Sequence, residues 1–263
     1  MQTIKIPGSV KKIGEGAFEN CVKLLRILLP ELEQIEENTF RHCKKLKEVH
    51  FGQKLKRIGR QVFYGCNSLT QINLPEQLEE IGGMGFYRCN KLEKIYIPET
   101  LKKIGNLAFA QSGLLEVQIL SDGKEFGSAL FYDCTRLHTL LLGDGVRHIP
   151  DKLAFGCAAL TTVSLPETIE SVGRNAFEKT PFLKAWKEEF ARIRNYGEKK
   201  ENSLSSIFWD GSDLEGEFTL PANFRIIAGG AYYGNVKVTK ICLHEDITWV
   251  GRAAFKGCTA LAS

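Results

Sequence analysis

Between Leu69 and Pro75 the chain alternates: Ile72 and Leu74 are apolar, Asn73 between them is polar, and Pro75 closes the run. Period-two alternation marks a half-buried strand, and a proline, which cannot donate to a ladder, stops it. QLEEIG, Gln77 to Gly82, reads as a second, shorter strand. GMGFYRC, Gly83 to Cys89, then turns a ring and a thiol inward over about one helical turn, too short for a full helix.

This three-part unit recurs along the chain as I-G-x-x-A-F-x-x-C-x-x-L-x-x-I-x-L-P-x-x-L. Its opening slot holds Ile13, Ile35, Ile58, Ile81, Ile104, Phe126, Ile149, Val172, Ile227 and Val250, and eight of the nine intervals are 22 or 23 residues. The ring slot runs from Phe18 through Phe40, Phe63, Phe86, Phe109 and Phe131 to Phe155, Phe177, Tyr232 and Phe255, with Phe155 one place late. A fixed period in this range, with several apolar columns, is a solenoid signal. No repeat can bury its apolar side alone, so stacked repeats share one core. The glycine of the opening pair, such as Gly14, is expected to help the chain turn before the ring.

The ninth interval, Val172 to Ile227, is 55 residues, one repeat plus 32 inserted residues. TPFLKAWKEEFARIRNYG carries helix signals at both ends: Thr180 as N-cap, Pro181 at the first helical position, Gly197 as the stop. Phe182, Trp186, Phe190 and Ile193 fall on one face. The expectation is a single domain over 1–263 with an insertion at 181–218: a helix over about 181–196, a polar loop, then a hairpin turning at Asp210-Gly211, with Phe218 re-entering the repeat. The helix either folds back on the solenoid or projects; if it projects, Trp186 and Trp209 are its candidate anchors.

The recurring I-G-x-x-A-F-x-x-C-x-x-L-x-x-I-x-I-P units resemble the BspA-like (Treponema pallidum-type) leucine-rich repeats over nearly the whole chain. The resemblance implies an α/β, right-handed leucine-rich-repeat solenoid of about ten coils, each with a strand and a short helical turn. It implies the family setting, bacterial or protozoan surface proteins that bind other macromolecules. It also makes the break after a Thr-Pro-aromatic motif a family feature.

Composition narrows the chemistry. Net charge is only +4, from 35 Lys and Arg against 31 Asp and Glu, interleaved along the chain. That balance argues against nucleic acid as a partner. No apolar run approaches a membrane span, and Met1–Val10 lacks the charged and apolar regions of a signal peptide. A surface or secreted location follows from the resemblance only, and the cytoplasm stays open. Of eight cysteines, Cys21, Cys43, Cys66, Cys89, Cys134, Cys157 and Cys258 share one repeat column, which also accepts Ser112, Thr180 and Asn235. Such tolerance fits small buried groups better than disulfides or metal ligands. Cys242 and His244 offer two ligands where a structural zinc needs four. The five histidines are scattered over different slots, with no nucleophile or paired carboxylates in register. No catalytic residue, metal or cofactor is expected.

Function therefore rests on residues that do not repeat. Two outward columns of the longer strands can be read from the template. One is Arg26, Glu48, Gln71, Lys94, Glu116, Thr139 and Thr162; the other is Leu28, His50, Asn73, Tyr96, Gln118, Leu141 and Ser164. Arg26, His50, Asn73, Lys94, Tyr96 and Gln118 are the candidate contacts for a protein ligand. The leading expectation is a non-enzymatic recognition module, acting in protein binding or adhesion. The alternative is a structural or regulatory segment of a larger intracellular protein. Thr3–Pro7 reads as the strand of an earlier repeat and Phe255–Ser263 stops inside one, so open strand edges also predict end-to-end self-association.

Overall fold

A computed structural model describes residues 3–120, 125–166, 168–196, 207–208, 214–220 and 224–262. Its strands begin with β1 (Thr3–Lys5), β2 (Arg26–Leu28), β3 (Gln34–Ile35), β4 (Glu48–His50), β5 (Arg57–Ile58), β6 (Gln71–Ile72) and β7 (Glu80–Ile81). They continue through β8 (Lys94–Ile95), β9 (Lys103–Ile104), β10 (Glu116–Ile119), β11 (Glu125–Phe126), β12 (Thr139–Leu142), β13 (His148–Ile149), β14 (Thr162–Ser164) and β15 (Ser171–Val172). After the helix α1 (Pro181–Tyr196) come β16 (Ile207–Phe208), β17 (Gly216–Thr219), β18 (Ile226–Ile227), β19 (Val238–Cys242) and β20 (Trp249–Val250).

Each strand pairs in parallel with its counterpart one coil away, which makes the molecule a solenoid. The opening strands stack as β3-β5-β7-β9-β11, β13-β15 and β16-β18-β20; the longer strands stack as β1-β2-β4, β6-β8, β10-β12-β14 and β17-β19. Alternation has the expected consequence: in β10, Val117 and Ile119 are buried while Glu116 and Gln118 are exposed. Buried side chains form one continuous cluster from Leu24 to Ala254.

The third side of each coil is not helical, contrary to the short helical turn expected there. It is a run of turns in which the residues two before and two after the ring slot adopt left-handed backbone: Gly16 and Asn20 around Phe18, Met84 and Arg88 around Phe86. The strain is offset by hydrogen bonds between coils. The Gly16, Phe18 and Asn20 amides donate to the Glu37, Thr39 and Arg41 carbonyls at 3.0, 2.9 and 2.8 Å, and the set repeats coil after coil. Backbone satisfied by a neighbour need not be satisfied within its own turn.

This register corrects one assignment. In the seventh coil the left-handed residues are Lys152 and Gly156, and the Ala154 amide makes the ring-slot bond, to Ala176 O at 2.7 Å. Ala154 therefore holds the ring slot. Phe155 lies in the adjacent outward column, half-buried and stacked on Tyr132 at 5.2 Å. Elsewhere the rings form the expected inward ladder, with centroids 5.4, 5.5, 5.2, 5.4 and 5.9 Å apart from Phe18 to Phe131.

The cysteine column does more than fill space. The thiols of Cys43, Cys66, Cys89, Cys134 and Cys157 donate to the carbonyls of Phe18, Phe40, Phe63, Phe109 and Phe131, at 3.0–3.2 Å. The substitutes in the slot are small donors too: the Thr180 hydroxyl donates to Phe177 O at 2.6 Å and the Asn235 amide to Leu214 O at 3.0 Å. The slot thus holds small side chains that can donate a hydrogen bond, although Thr180 and Asn235 donate to other carbonyls than the cysteines do. Cys66→Ser should therefore cost less stability than Cys66→Val, which keeps bulk but loses a bond worth about 1 kcal/mol. Equal urea midpoints for the two variants would mean that size alone matters.

The opening glycines serve close approach rather than turning. Gly105 has no left-handed backbone, and a Cβ there would collide with the Gly83 amide of the coil before. Gly14, in the first coil described, has nothing within 4 Å.

The insertion begins as its sequence implies. The Leu183 amide donates to the Thr180 hydroxyl at 3.1 Å, an N-cap bond, and Pro181 opens α1. Among the described residues the two strands expected to form the hairpin do not pair with each other. β16 pairs with β18 and β17 with β19, all in parallel, so Ile207–Phe208 and Gly216–Thr219 are solenoid strands and not two arms of one turn. Among the described residues the solenoid pairing resumes at Ile207, before Phe218. Asp210-Gly211 lies outside the described residues.

Candidate interaction surface

Strand pairing carries the non-repeating residues into two columns on the outer face of the longer strands. Arg26 lies beside Glu48 and Leu28 beside His50; Gln71 lies beside Lys94; Glu116, Thr139 and Thr162 align, as do Gln118, Leu141 and Ser164. Arg26, His50, Asn73, Lys94, Tyr96 and Gln118 are all exposed on this face. At its start Arg26 and Glu48 close to 3.0 Å, with His50 Nε2 3.7 Å from the same carboxylate.

Trp186 is not on a surface. It is only 7% exposed and meets Phe224 edge to face at 6.3 Å, while Phe182 meets Phe177 at 5.4 Å. The first turns of α1 fold back on the solenoid, so Trp186 is a packing residue and not an exposed anchor. Trp209 lies outside the described residues.

The face is not uniform. Among the described longer strands, pairing is interrupted between β4 and β6 and again between β8 and β10. At the second interruption one corner is short. Six residues separate ring and leucine in most coils, as from Phe86 to Leu92, but five separate Phe109 from Leu114. The shortened corner presses Gly113 onto the Asn90 carbonyl, so closely that no Cβ would fit. The Leu115 amide still reaches Glu93 O at 3.1 Å, and the strands part after that bond. A notch of about 570 Å³ opens there, lined by Glu93, Lys94, Tyr96, Glu116, Gln118, Leu120 and His138 among others. Tyr96 and Leu120 are 60% and 55% exposed, prominent for apolar side chains on this face. Above the notch Arg136 reaches across the shortened coil to Glu93 at 3.0 Å. Three of the eight sequence candidates, Lys94, Tyr96 and Gln118, line this notch. Leu120 and His138 were missed; the five-residue spacing in one coil was the available signal.

A second surface was also missed. On the turn side, Tyr64 and Tyr87 stack at 5.0 Å, with the Arg41 and Arg88 guanidinium groups 5.3 and 5.5 Å from their ring centroids. Tyr132 and Phe155 repeat the arrangement with Lys152 and Lys179. These rings and cations already satisfy one another.

The titratable groups offer stability rather than chemistry. Burial pushes the Cys43 thiol up to about 12 and Cys134 to about 11, and raises Cys66, Cys89 and Cys157 as well. Such thiols stay neutral, and the thiolate is the reactive form. Burial likewise lowers His42, with Arg41 adding to the effect. Among the described residues no group of three His, Cys, Asp or Glu could hold a metal ion, and no helix is long and apolar enough to cross a membrane.

Comparison with known proteins agrees with this geometry. The family model for the BspA-type leucine-rich repeat region (6 copies) matches residues 1–114, 79–197 and 199–263. A leucine-rich repeat protein from Bacteroides ovatus is similar in structure: 26% identity, TM-score 0.65, covering 99% of this chain and 73% of that one. The leucine-rich repeat protein of T. pallidum is 25% identical with TM-score 0.52, covering 76% of this chain and 85% of its own. No curated protein matches the chain. The repeated ring and cysteine columns, the stacked parallel strands and the matched family model converge: the chain belongs to the BspA-type leucine-rich repeat family.

Proposed function

We propose that the chain is a non-enzymatic recognition module that binds a protein partner through the outer face of its longer strands. The observation that carries this reading is the notch beside Tyr96, where a large exposed ring and charged side chains stand around a concavity. Repeat proteins present such extended faces as binding surfaces, and aromatic side chains dominate interface energetics. Arg26, His50, Asn73, Lys94, Tyr96 and Gln118 form the proposed contact set. The surface-protein setting of the family supports a role in adhesion at a cell surface.

The test compares capture of candidate surface proteins by the unaltered chain and by a variant with alanine at His50, Asn73, Lys94 and Tyr96. Loss of capture by the fourfold variant, with an unchanged circular dichroism spectrum, is the expected outcome. Intact capture by that variant, together with loss on altering the exposed side of α1, would place recognition on the insertion instead.

A further inference from the structure

We infer that the notch between β8 and β10 receives a basic anchor, an arginine or lysine side chain of the partner with an apolar neighbour. This deepens the strand-face reading above and rests on it. Charge complementarity points to the occupant. The chain as a whole carries +4, yet among the described residues lining the notch the carboxylates Glu93, Glu99 and Glu116 stand against the one ammonium of Lys94, with Glu93 already paired to Arg136. Opposite charges in this column pair elsewhere, as Arg26 and Glu48 do at 3.0 Å. Across the break in the ladder they do not: among the described residues no ion pair joins Lys94 to Glu116, and Glu99 has none either.

Two further features fit a long basic side chain. The Tyr96 ring and Leu120, both more than half exposed, supply an apolar wall for its methylenes. The Tyr96 face also attracts a cation. Arg136 already displays the mode within the chain, laying its guanidinium on Glu93 at 3.0 Å from two coils away. The volume, about 570 Å³, lies within the range of ligand clefts and leaves room for the flanking residue.

The probe is the peptide acetyl-Gly-Leu-Arg-Leu-Gly-amide, titrated into the isotopically labelled chain while the amide resonances of residues 94–97, 116–120 and 138 are followed. Saturable shifts confined to those residues are expected. Replacing arginine by its uncharged isostere citrulline should weaken binding about tenfold, and raised salt should weaken the arginine peptide. Glu99→Gln combined with Glu116→Gln should weaken it about fivefold or more, with the rest of the spectrum unchanged. The inference is overturned if the arginine peptide leaves these resonances unmoved, if citrulline binds as well, or if maltotriose saturates the same resonances more tightly. Protein capture separates the two readings. Capture that survives the double glutamine variant but not the fourfold alanine variant removes the basic anchor and leaves strand-face recognition standing. Capture indifferent to both removes both.

Discussion

Raising the pH from 8 to 10 is expected to remove about 5–10 kcal/mol of unfolding free energy, enough to unfold a protein of ordinary stability. The five core thiols set the sign. Their ordinary value is near 9.0, and burial raises Cys43 to about 12, Cys134 to about 11, and Cys66, Cys89 and Cys157 in the same direction. The native state therefore holds these protons to higher pH than the unfolded chain does. Below about pH 9 both states are protonated and the full stability is present. Above it the unfolded chain ionises alone, and each thiol costs about 1.4 kcal/mol per pH unit until its native value is reached. Urea midpoints at pH 8, 9 and 10 measure the slope. Lysines and tyrosines titrate nearby, so the decisive comparison is Cys66→Ser with Cys89→Ser. That double variant should lose stability less steeply with pH, by about 1.4 kcal/mol per unit for each thiol removed. An unchanged slope would show that the thiols do not govern alkaline unfolding.

Phe86→Ala should cost about 3–5 kcal/mol, the usual penalty for emptying a fully buried aromatic site. Phe86 is fully buried and stacks between Phe63 at 5.2 Å and Phe109 at 5.4 Å. Its loss removes two ring contacts and leaves a gap midway along a core whose coils are stabilised by their neighbours. Phe18→Ala should cost about half as much, because Phe18 is only partly buried and has one ring partner, Phe40. Denaturant unfolding should show a lower midpoint for Phe86→Ala or a split into two transitions, as the halves on either side uncouple. A cost under about 1 kcal/mol would contradict the ladder as the main source of coil-to-coil stability. The seventh coil is a natural comparison: Ala154 fills the ring slot there, and Leu153 is buried beside it in a slot that Gly85 and Ala108 occupy in other coils.

The strand face was readable because strand alternation and a fixed period leave little freedom. Once Ile72 and Leu74 point inward, Gln71 and Asn73 must point outward, and a 23-residue step aligns Gln71 with Lys94. The same logic placed Arg26, His50, Tyr96 and Gln118. It failed where residue type alone was matched to a slot or a face. Phe155 looked like a late ring because its type matched, but backbone register belongs to Ala154. Tryptophans in the insertion looked like anchors because sequence cannot say which way an amphipathic helix turns; packing against Phe224 decided it for Trp186.

What the sequence determined by itself was the scaffold: a repeat that must stack to bury its rings, the two outward columns, and the capped helix from Pro181. These follow from local periodicity, which acts on each coil alike. Tertiary structure alone decided the notch, the hydrogen-bonding role of the cysteines, and the use of Gly105 for close approach. Each depends on the distance between one coil and the next, and that distance is fixed by the whole stack and not by any one coil's residues.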